Sequence, residues 1–297
     1  MTVWSLPLLF ATVAAAAETA GSLREAVADL EAGRTETAER KLALLASRQT
    51  GSADVPFHLG VARFRLRRFP EARAALERAV RLAPRRADAW KALGAVHVAE
   101  RDYRAAEEPL RQACTLNPQQ EDACYYLGRN YYELSRFEEA VAAFEKALPL
   151  DAGKRWRVHN GMALAIEGLR RVEAAERHFR LAVETWPGGG RPDEDPRIDL
   201  GVFLFRQGRA PEAIRAFQQV VSASPASARG RFELGRALHA GGLLAEAAGQ
   251  LEKALELEPA RWEAHLLLGK VYSRLGRAGD AERHNQLGQE GALRSPR

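Results

Sequence analysis

Two cysteines, seven histidines and a run of three glycines are the residues of this 297-residue chain whose types could carry chemistry. The histidines show no H-E-x-x-H or other metal-ligand spacing, so the sequence predicts no metal site. The glycines 188–190 are not followed by the Gly-Lys-Ser/Thr of a phosphate-binding loop. No Ser/His/Asp arrangement can be picked out, and acid pairs such as Glu107-Glu108 fit a solvated helix face. We therefore expect no catalysis, no cofactor and no small-molecule substrate.

The two cysteines, Cys114 and Cys124, flank a predicted turn at Asn117-Pro118-Gln119. If the turn joins two antiparallel helices, both side chains reach about the same level along those helices. In an exported protein such a pair could form a disulfide. The alternative is a pair of small buried thiols in the core. The spacing leaves both possibilities open.

The elements that position these residues are predicted by a glycine that returns at a constant interval. An interval of about 34 residues is typical of a helix–turn–helix unit that stacks on its neighbours into a solenoid. The glycines fall into two sets, and the gap between the sets equals two further periods plus five inserted residues. The glycines are Gly60, Gly94 and Gly128, followed by Gly201, Gly235 and Gly269.

Other residue types recur in phase with the glycine. In most units alanine stands at the twelfth position after it and a bulky apolar residue at the sixteenth, and a proline usually closes the unit. Small residues suit close helix crossings, and proline suits a helix end. Acids near the start of the first helices are expected to cap them and to complement the helix dipole: Asp54, Asp88, Asp122, Asp195 and Glu263.

This pattern resembles the tetratricopeptide repeat family, and residues 87–120 show it best. They carry Trp90, Leu93-Gly94, Tyr103, Ala106, Leu110, Ala113 and Pro118. The resemblance implies an all-α, right-handed superhelical solenoid of about eight helix–turn–helix units. The five inserted residues fall near Arg155 and within 186–196, where we expect an ordinary surface loop. The units lie near 19–52, 53–86, 87–120, 121–154, 156–189, 194–227, 228–261 and 262–295, and are numbered one to eight below.

The same resemblance implies that the first helices line a concave groove for peptide segments or partner helices. Aromatic and arginine residues there are the types enriched at binding hot spots, although the aromatics could instead pack within the superhelix. The family's carboxylate clamp is absent, because Ala95 stands four residues after Lys91. The candidate groove residues are Phe57, Phe64, Lys91, Tyr125, Arg129, Tyr132, Phe205, Arg206, Phe232 and Arg236.

These observations favour a non-catalytic protein-interaction scaffold whose partners are proteins, possibly with acidic segments. One alternative is a substrate-recruiting subunit of an envelope enzyme or assembly complex. A nucleic-acid-binding solenoid is a further alternative, but the net charge of +5 is mild for this length and no run of like charges concentrates it.

The apolar N-terminus, residues 1–17, ends in Ala15-Ala16-Ala17 and predicts a cleaved signal peptide. It lacks a basic side chain, and the alternative is an apolar helix packed on the first unit. We expect an exported protein, periplasmic or extracellular, and otherwise a cytoplasmic one. The mature chain would then hold the solenoid at 18–295 and a tail at 296–297, with no transmembrane span.

Overall fold

The computed structural model describes residues 20–48, 51–117, 121–149 and 154–294. The predicted signal peptide 1–17 and the tail 296–297 lie outside these residues. Those described form sixteen α-helices and one short 3₁₀ helix, without a β-strand among them. None of these helices has both the length and the apolarity that crossing a bilayer requires. The chain divides into two compact halves, Met1–Leu150 and Asp151–Arg297.

The first half is a series of four antiparallel helix pairs, units one to four. Within each pair the helices pack on each other, and each pair packs on the next through adjacent helices. The helices are α1 (20–31), α2 (Thr35–Ser47), α3 (Asp54–Arg65), α4 (Phe69–Leu82), α5 (Ala87–Ala99), α6 (Tyr103–Leu116), α7 (Glu121–Glu133) and α8 (Phe137–Ala147).

The second half contains units five to eight and repeats this arrangement, with the 3₁₀ helix Pro192–Glu194 inserted before the sixth unit. Its last helix is the longest of the described helices. The helices are α9 (Arg155–Gly168), α10 (Val172–Thr185), α11 (Pro196–Arg206), α12 (Ala210–Ala223), α13 (Ala228–Ala240), α14 (Leu244–Leu257), α15 (Trp262–Arg274) and α16 (Ala278–Arg294).

The periodic glycine is where the two helices of a unit approach closely. A Cβ atom on Gly60 would lie 2.5 Å from Cγ of Leu76, and one on Gly201 would lie 2.5 Å from Cε1 of Phe217. In these units an added side chain would clash with a large apolar neighbour unless that neighbour moved, whereas the first and fifth units have Ala26 and Ala163 at this position. The small and large residues that recur in phase along the sequence therefore pack against each other across each unit. The eighth unit differs, because Asn285 stands in the apolar position opposite Gly269.

The turn inside every unit contains one residue in the left-handed conformation. This residue is glycine in four units, at φ 76–78°, and a non-glycine residue at φ 57–61° in the other four. The amide of the following residue bonds back to the helix, as Arg68 N does to Arg63 O at 2.9 Å. This is the bonding that ends a helix tightly. The glycines are Gly33, Gly208, Gly242 and Gly276, and the others are Arg67, Arg101, Ser135 and Arg170.

A hydrogen bond to the closing proline ties one unit to the next in three places. Trp90 Nε1 donates to the carbonyl of Pro84 at 2.8 Å, and Arg231 Nε donates to that of Pro225 at 2.8 Å. In the eighth unit His265 Nε2 lies 3.0 Å from Pro259 O. In these three units, residues of different type at the tryptophan position of the repeat pattern make the same contact to the backbone.

The inserted segment 186–196 does more than connect two units. Gly188–Gly190 all have φ of 77–79°, a conformation that glycine adopts without steric cost. Asp193 Oδ1 then accepts from Ser227 Oγ at 2.7 Å and from Arg229 N at 3.0 Å. The predicted surface loop is present, with residues 187–192 exposed, and it also caps the start of α13 in the following unit.

The expected capping by acids holds at one of the positions that the structure describes. Asp195 Oδ1 accepts from Arg197 N at 2.9 Å at the start of α11. Asp54 and Asp88 make no cap bond and instead bind Arg86, at 2.5 and 2.8 Å. They lie inside the first turn, where an acid complements the helix dipole and remains free to pair with a neighbouring arginine.

Candidate protein-binding surface

Helix α7 places three of the predicted groove residues on one face, because Tyr125, Arg129 and Tyr132 are four and three residues apart. The two tyrosines are half-buried and the arginine is exposed. The Tyr125 ring packs 5.8 Å from that of Phe144, and the Tyr132 ring 5.7 Å from that of Phe137. One side of each tyrosine is thus held by the second helix of its own unit, and the exposed arginine stands between them in the order of the helix.

Four of the six tyrosines of the chain lie on α7. Sequence reasoning did not select Tyr126, whose side chain is 39% exposed and whose ring lies 5.6 Å from that of Tyr125. It was missed because the family pattern assigns its position outside the groove, although the concentration of tyrosines on α7 was visible. Exposed tyrosine adjacent to arginine is a composition typical of binding surfaces.

The remaining α7 tyrosine, Tyr131, and its neighbours fix the helix on the third unit. Tyr131 is buried, and the guanidinium of Arg136 stacks 4.6 Å from its ring centroid. Arg136 Nη1 also donates to Glu107 Oε2 of α6 at 2.7 Å. Burial raises the pKa of the Tyr131 hydroxyl, and the negative charge of Glu107 adds to this. Asn130 Nδ2 donates to Tyr103 O at 2.9 Å, so α7 is tied to α6 by several polar contacts.

Cys114 of α6 and Cys124 of α7 also meet between the third and fourth units. Their sulfur atoms are 2.01 Å apart and their Cα atoms 4.8 Å apart, which is disulfide geometry. Both side chains are buried. Of the two possibilities left open by the spacing, the structure contains the bonded one. Cys124 directly precedes Tyr125, so the bond fixes the start of α7 beside the candidate tyrosines.

The candidate residues on the second and third units contact other parts of the chain. The guanidinium of Arg86 covers the Phe57 ring, with Cζ 4.0 Å from the ring centroid. Phe64 packs against Phe69 at 5.8 Å and belongs to the margin of the core. Lys91 is half-buried on α5. Both phenylalanines therefore contribute to packing, which is the alternative that the sequence left open for them.

In the second half, the candidate arginines are paired within the chain. Arg206 Nη1 lies 3.1 Å from Glu167 Oε1, and Arg236 Nη2 lies 2.6 Å from Glu233 Oε2. Arg236 also stacks 5.0 Å from the centroid of Phe205.

Phe232 is covered by Arg261 at 5.2 Å, and these two residues are as far apart in the sequence as Phe57 and Arg86. Burial raises the pKa of Glu233, and the positive charge of Arg236 opposes that rise. Arg206 and Arg236 thus already pair with acidic side chains of the chain itself. Arg236 and Arg261 also stack on its phenylalanine rings.

Two histidine pairs occupy equivalent places in the fifth and eighth units. The Nδ1 atoms of His159 and His178 are 3.2 Å apart, and those of His265 and His284 are 2.9 Å apart. Among the described residues no group of three or more His, Cys, Asp or Glu side chains could hold a metal ion. Sequence reasoning missed the pairs because it searched for short motifs. The two pairs have the same separation along the chain, and this separation, read in the register of the repeat, was the available signal.

Comparison with known proteins agrees with this architecture. A family model described as tetratricopeptide repeat matches residues 57–121, 198–259 and 242–289, and a second model of the same description matches 97–164. The TPR repeat-containing thioredoxin TTL4 of Arabidopsis thaliana is 34% identical over 92 residues, or 31% of this chain. This chain spans only 14% of that relative's length.

Among solved structures, a tetratricopeptide repeat protein from Parabacteroides merdae superposes with a TM-score of 0.66 at 18% identity. The match covers 85% of this chain and 98% of that one. Pseudomonas aeruginosa pilF gives a TM-score of 0.58 at 20% identity, over 75% of this chain and 97% of that one. At these identities the two structures show the fold alone, and they confirm the predicted all-α solenoid. With the family model covering more than half of its residues, the chain belongs to the tetratricopeptide repeat family.

Proposed function

We propose that this interaction scaffold binds a peptide segment or helix of a partner protein on the α7 surface, defined as Tyr125, Tyr126, Arg129 and Tyr132. The observation that carries the proposal is the state of Arg129. It is exposed, and it has no carboxylate partner among the described residues, whereas Arg206 and Arg236 are both paired. An exposed guanidinium that shares a helix face with two tyrosines and has no carboxylate partner among the described residues is suited to a carboxylate of another molecule.

The α7 surface is also fixed before a partner arrives. The disulfide to α6 and the stacking of Arg136 on Tyr131 hold the helix. Tyr125 and Tyr132 are each packed on one side. A surface that is already ordered loses little conformational entropy on binding, so more of the contact energy appears as affinity. The chemistry points to a segment that combines acidic residues with apolar or aromatic ones.

Selection of peptides on the purified, non-reduced chain tests this proposal directly. We expect a displayed random library to yield peptides rich in Asp, Glu and large apolar residues. Arg129→Glu should weaken the selected peptides by about 2 kcal/mol or more, roughly 30-fold, if the arginine is a hot spot. Arg104→Glu makes the same charge change on an exposed site of the second helix α6 and serves as the control. Equal affinity for the Arg129→Glu, Tyr126→Ala and unmodified chains would place the binding surface elsewhere.

We further propose that the chain is exported and functions in an oxidising compartment. The bonded geometry of Cys114 and Cys124 supports this, because disulfides persist outside the reducing cytosol. N-terminal sequencing of the accumulated protein should then begin at or near Glu18. An intact Met1 together with two titratable thiols in freshly isolated protein would contradict both the cleavage and the compartment.

A further inference from the structure

We propose that His265 and His284 of the eighth unit form a binding site for one divalent late transition-metal ion, such as Zn²⁺ or Cu²⁺. Their Nδ1 atoms are 2.9 Å apart, across the pair of helices α15 and α16. Two imidazole nitrogens bound at about 2.0–2.1 Å to one ion are about 2.9 Å apart at a right angle and about 3.4 Å apart at the tetrahedral angle. The observed separation equals the right-angle value, and the ring centroids are 5.1 Å apart, so rotation of the two rings, without movement of the helices, would aim both Nδ1 atoms at a single ion.

The outer nitrogen of His265 is held in the way that metal-binding histidines usually are. Nε2 lies 3.0 Å from Pro259 O, so it carries the ring proton and donates to that carbonyl. This assigns a free lone pair to Nδ1, the atom that faces His284. In the metal-free chain His284 Nδ1–H must then donate to His265. When the ion binds, that proton moves through solvent to His284 Nε2, and both Nδ1 lone pairs become available to the metal.

The surroundings leave room for the water ligands that a two-histidine site requires. Both rings are partly exposed, and His265 lines an open cleft together with Trp262, Leu287 and Glu290. Imidazole is a favoured ligand of zinc, copper and nickel, which defines the class of ion.

Comparison with the other units shows that these two positions work as a pair. Arg231 and Gln250 of the seventh unit have the same separation along the chain and are joined by a hydrogen bond of 3.1 Å. In the fifth unit His159 and His178 are 3.2 Å apart, but His159 is buried. We therefore assign the ion to the eighth unit, where both rings can be reached from solvent.

Titration of the untagged full chain with Zn²⁺ alone, by calorimetry, tests the site. His284→Gln should lose one equivalent of bound metal and the rise in melting temperature that zinc produces. His239→Gln is the control, because His239 is partly exposed and is not paired with another histidine among the described residues. It should keep the full stoichiometry. Identical binding by the His284→Gln and unmodified chains would overturn the proposal and leave the pair as a hydrogen bond only.

A second measurement decides the question if His284→Gln does not fold. In long-range ¹H–¹⁵N spectra of the unmodified chain, Zn²⁺ should shift the Nδ1 resonances of both His265 and His284. It should do so with a midpoint at least tenfold lower in zinc than any shift of His239. Unmoved resonances, or a shift of only one of the two rings, would exclude a shared ion.

Discussion

Replacement of Gly235 by alanine tests how closely α13 and α14 are packed in the seventh unit. The added Cβ would lie 2.7 Å from Cγ of Leu251 and 3.3 Å from the carbonyl oxygen of Ala247. Leu251 is fully buried, and its Cγ lies near its own backbone, so it cannot move away without leaving its rotamer. Overpacking of this kind costs about 1–3 kcal/mol. Alanine regains about 0.8–1 kcal/mol of helix propensity, so the net effect is a lower free energy of unfolding.

Gly249 provides the matched control on the other helix of the same unit. It lies inside α14, and no atom would lie within 4 Å of an added Cβ. Gly249→Ala should therefore raise the free energy of unfolding by about 0.8–1 kcal/mol. Because both substitutions gain the same propensity, their difference isolates the packing cost, and Gly235→Ala should be less stable than Gly249→Ala by about 1–3 kcal/mol.

Urea unfolding followed by circular dichroism in the far ultraviolet measures both effects. The two variants should shift the midpoint in opposite directions at an unchanged slope m, which shows that the same surface unfolds. A Gly235→Ala chain that is as stable as Gly249→Ala would refute the reasoning. The period of the glycines would then reflect something other than a close helix crossing.

Three further predictions concern the turns, the disulfide and pH. Arg67→Gly should stabilise the chain by up to about 1 kcal/mol in urea, because φ is 59° there, whereas Arg68→Gly, at φ −87°, should not. Reduction of the Cys114–Cys124 bond, which closes a loop of about ten residues, should lower the free energy of unfolding by about 2–3 kcal/mol, as urea midpoints with and without reductant will show. Burial and the neighbouring His265 and Arg283 lower the pKa of His284 in the folded chain. As pH falls below about 6.5, the unfolded chain therefore binds more protons than the folded chain, and folding becomes less favourable. The melting temperature should therefore fall between pH 7.5 and pH 5, and it should fall less in His284→Gln.

The fold was predictable because its determinants repeat within the sequence. Leu76 follows Gly60 at the same interval at which Phe217 follows Gly201, and each pair packs across one unit. A contact that recurs at a fixed spacing leaves a periodic signal in a single chain. The all-α class and the repeat type could therefore be predicted without a structure, and both are confirmed.

The surface was less predictable because it depends on where long side chains extend. Arg86 lies almost a full repeat after Phe57 and could have faced solvent, but it covers the ring and binds two acids. The family pattern assigns Phe57 to a groove and says nothing about what covers it. The position of Arg129 on the first helix could be predicted, but its lack of a carboxylate partner among the described residues could not. That property depends on side chains elsewhere in the fold.

The bond between Cys114 and Cys124 also has a consequence for the way the chain opens. In a solenoid each unit contacts only its neighbours, so unfolding can start at an end and advance unit by unit, with each step governed by the interface between two adjacent units. A covalent link across one boundary strengthens the coupling at that boundary alone. The third and fourth units should therefore open as a single step in non-reduced protein, and they should protect each other's amides from hydrogen exchange to the same extent. Oxidised protein would then unfold the third and fourth units together, and reduced protein could unfold them separately. The folded structure, including α7, would be the same in both redox states.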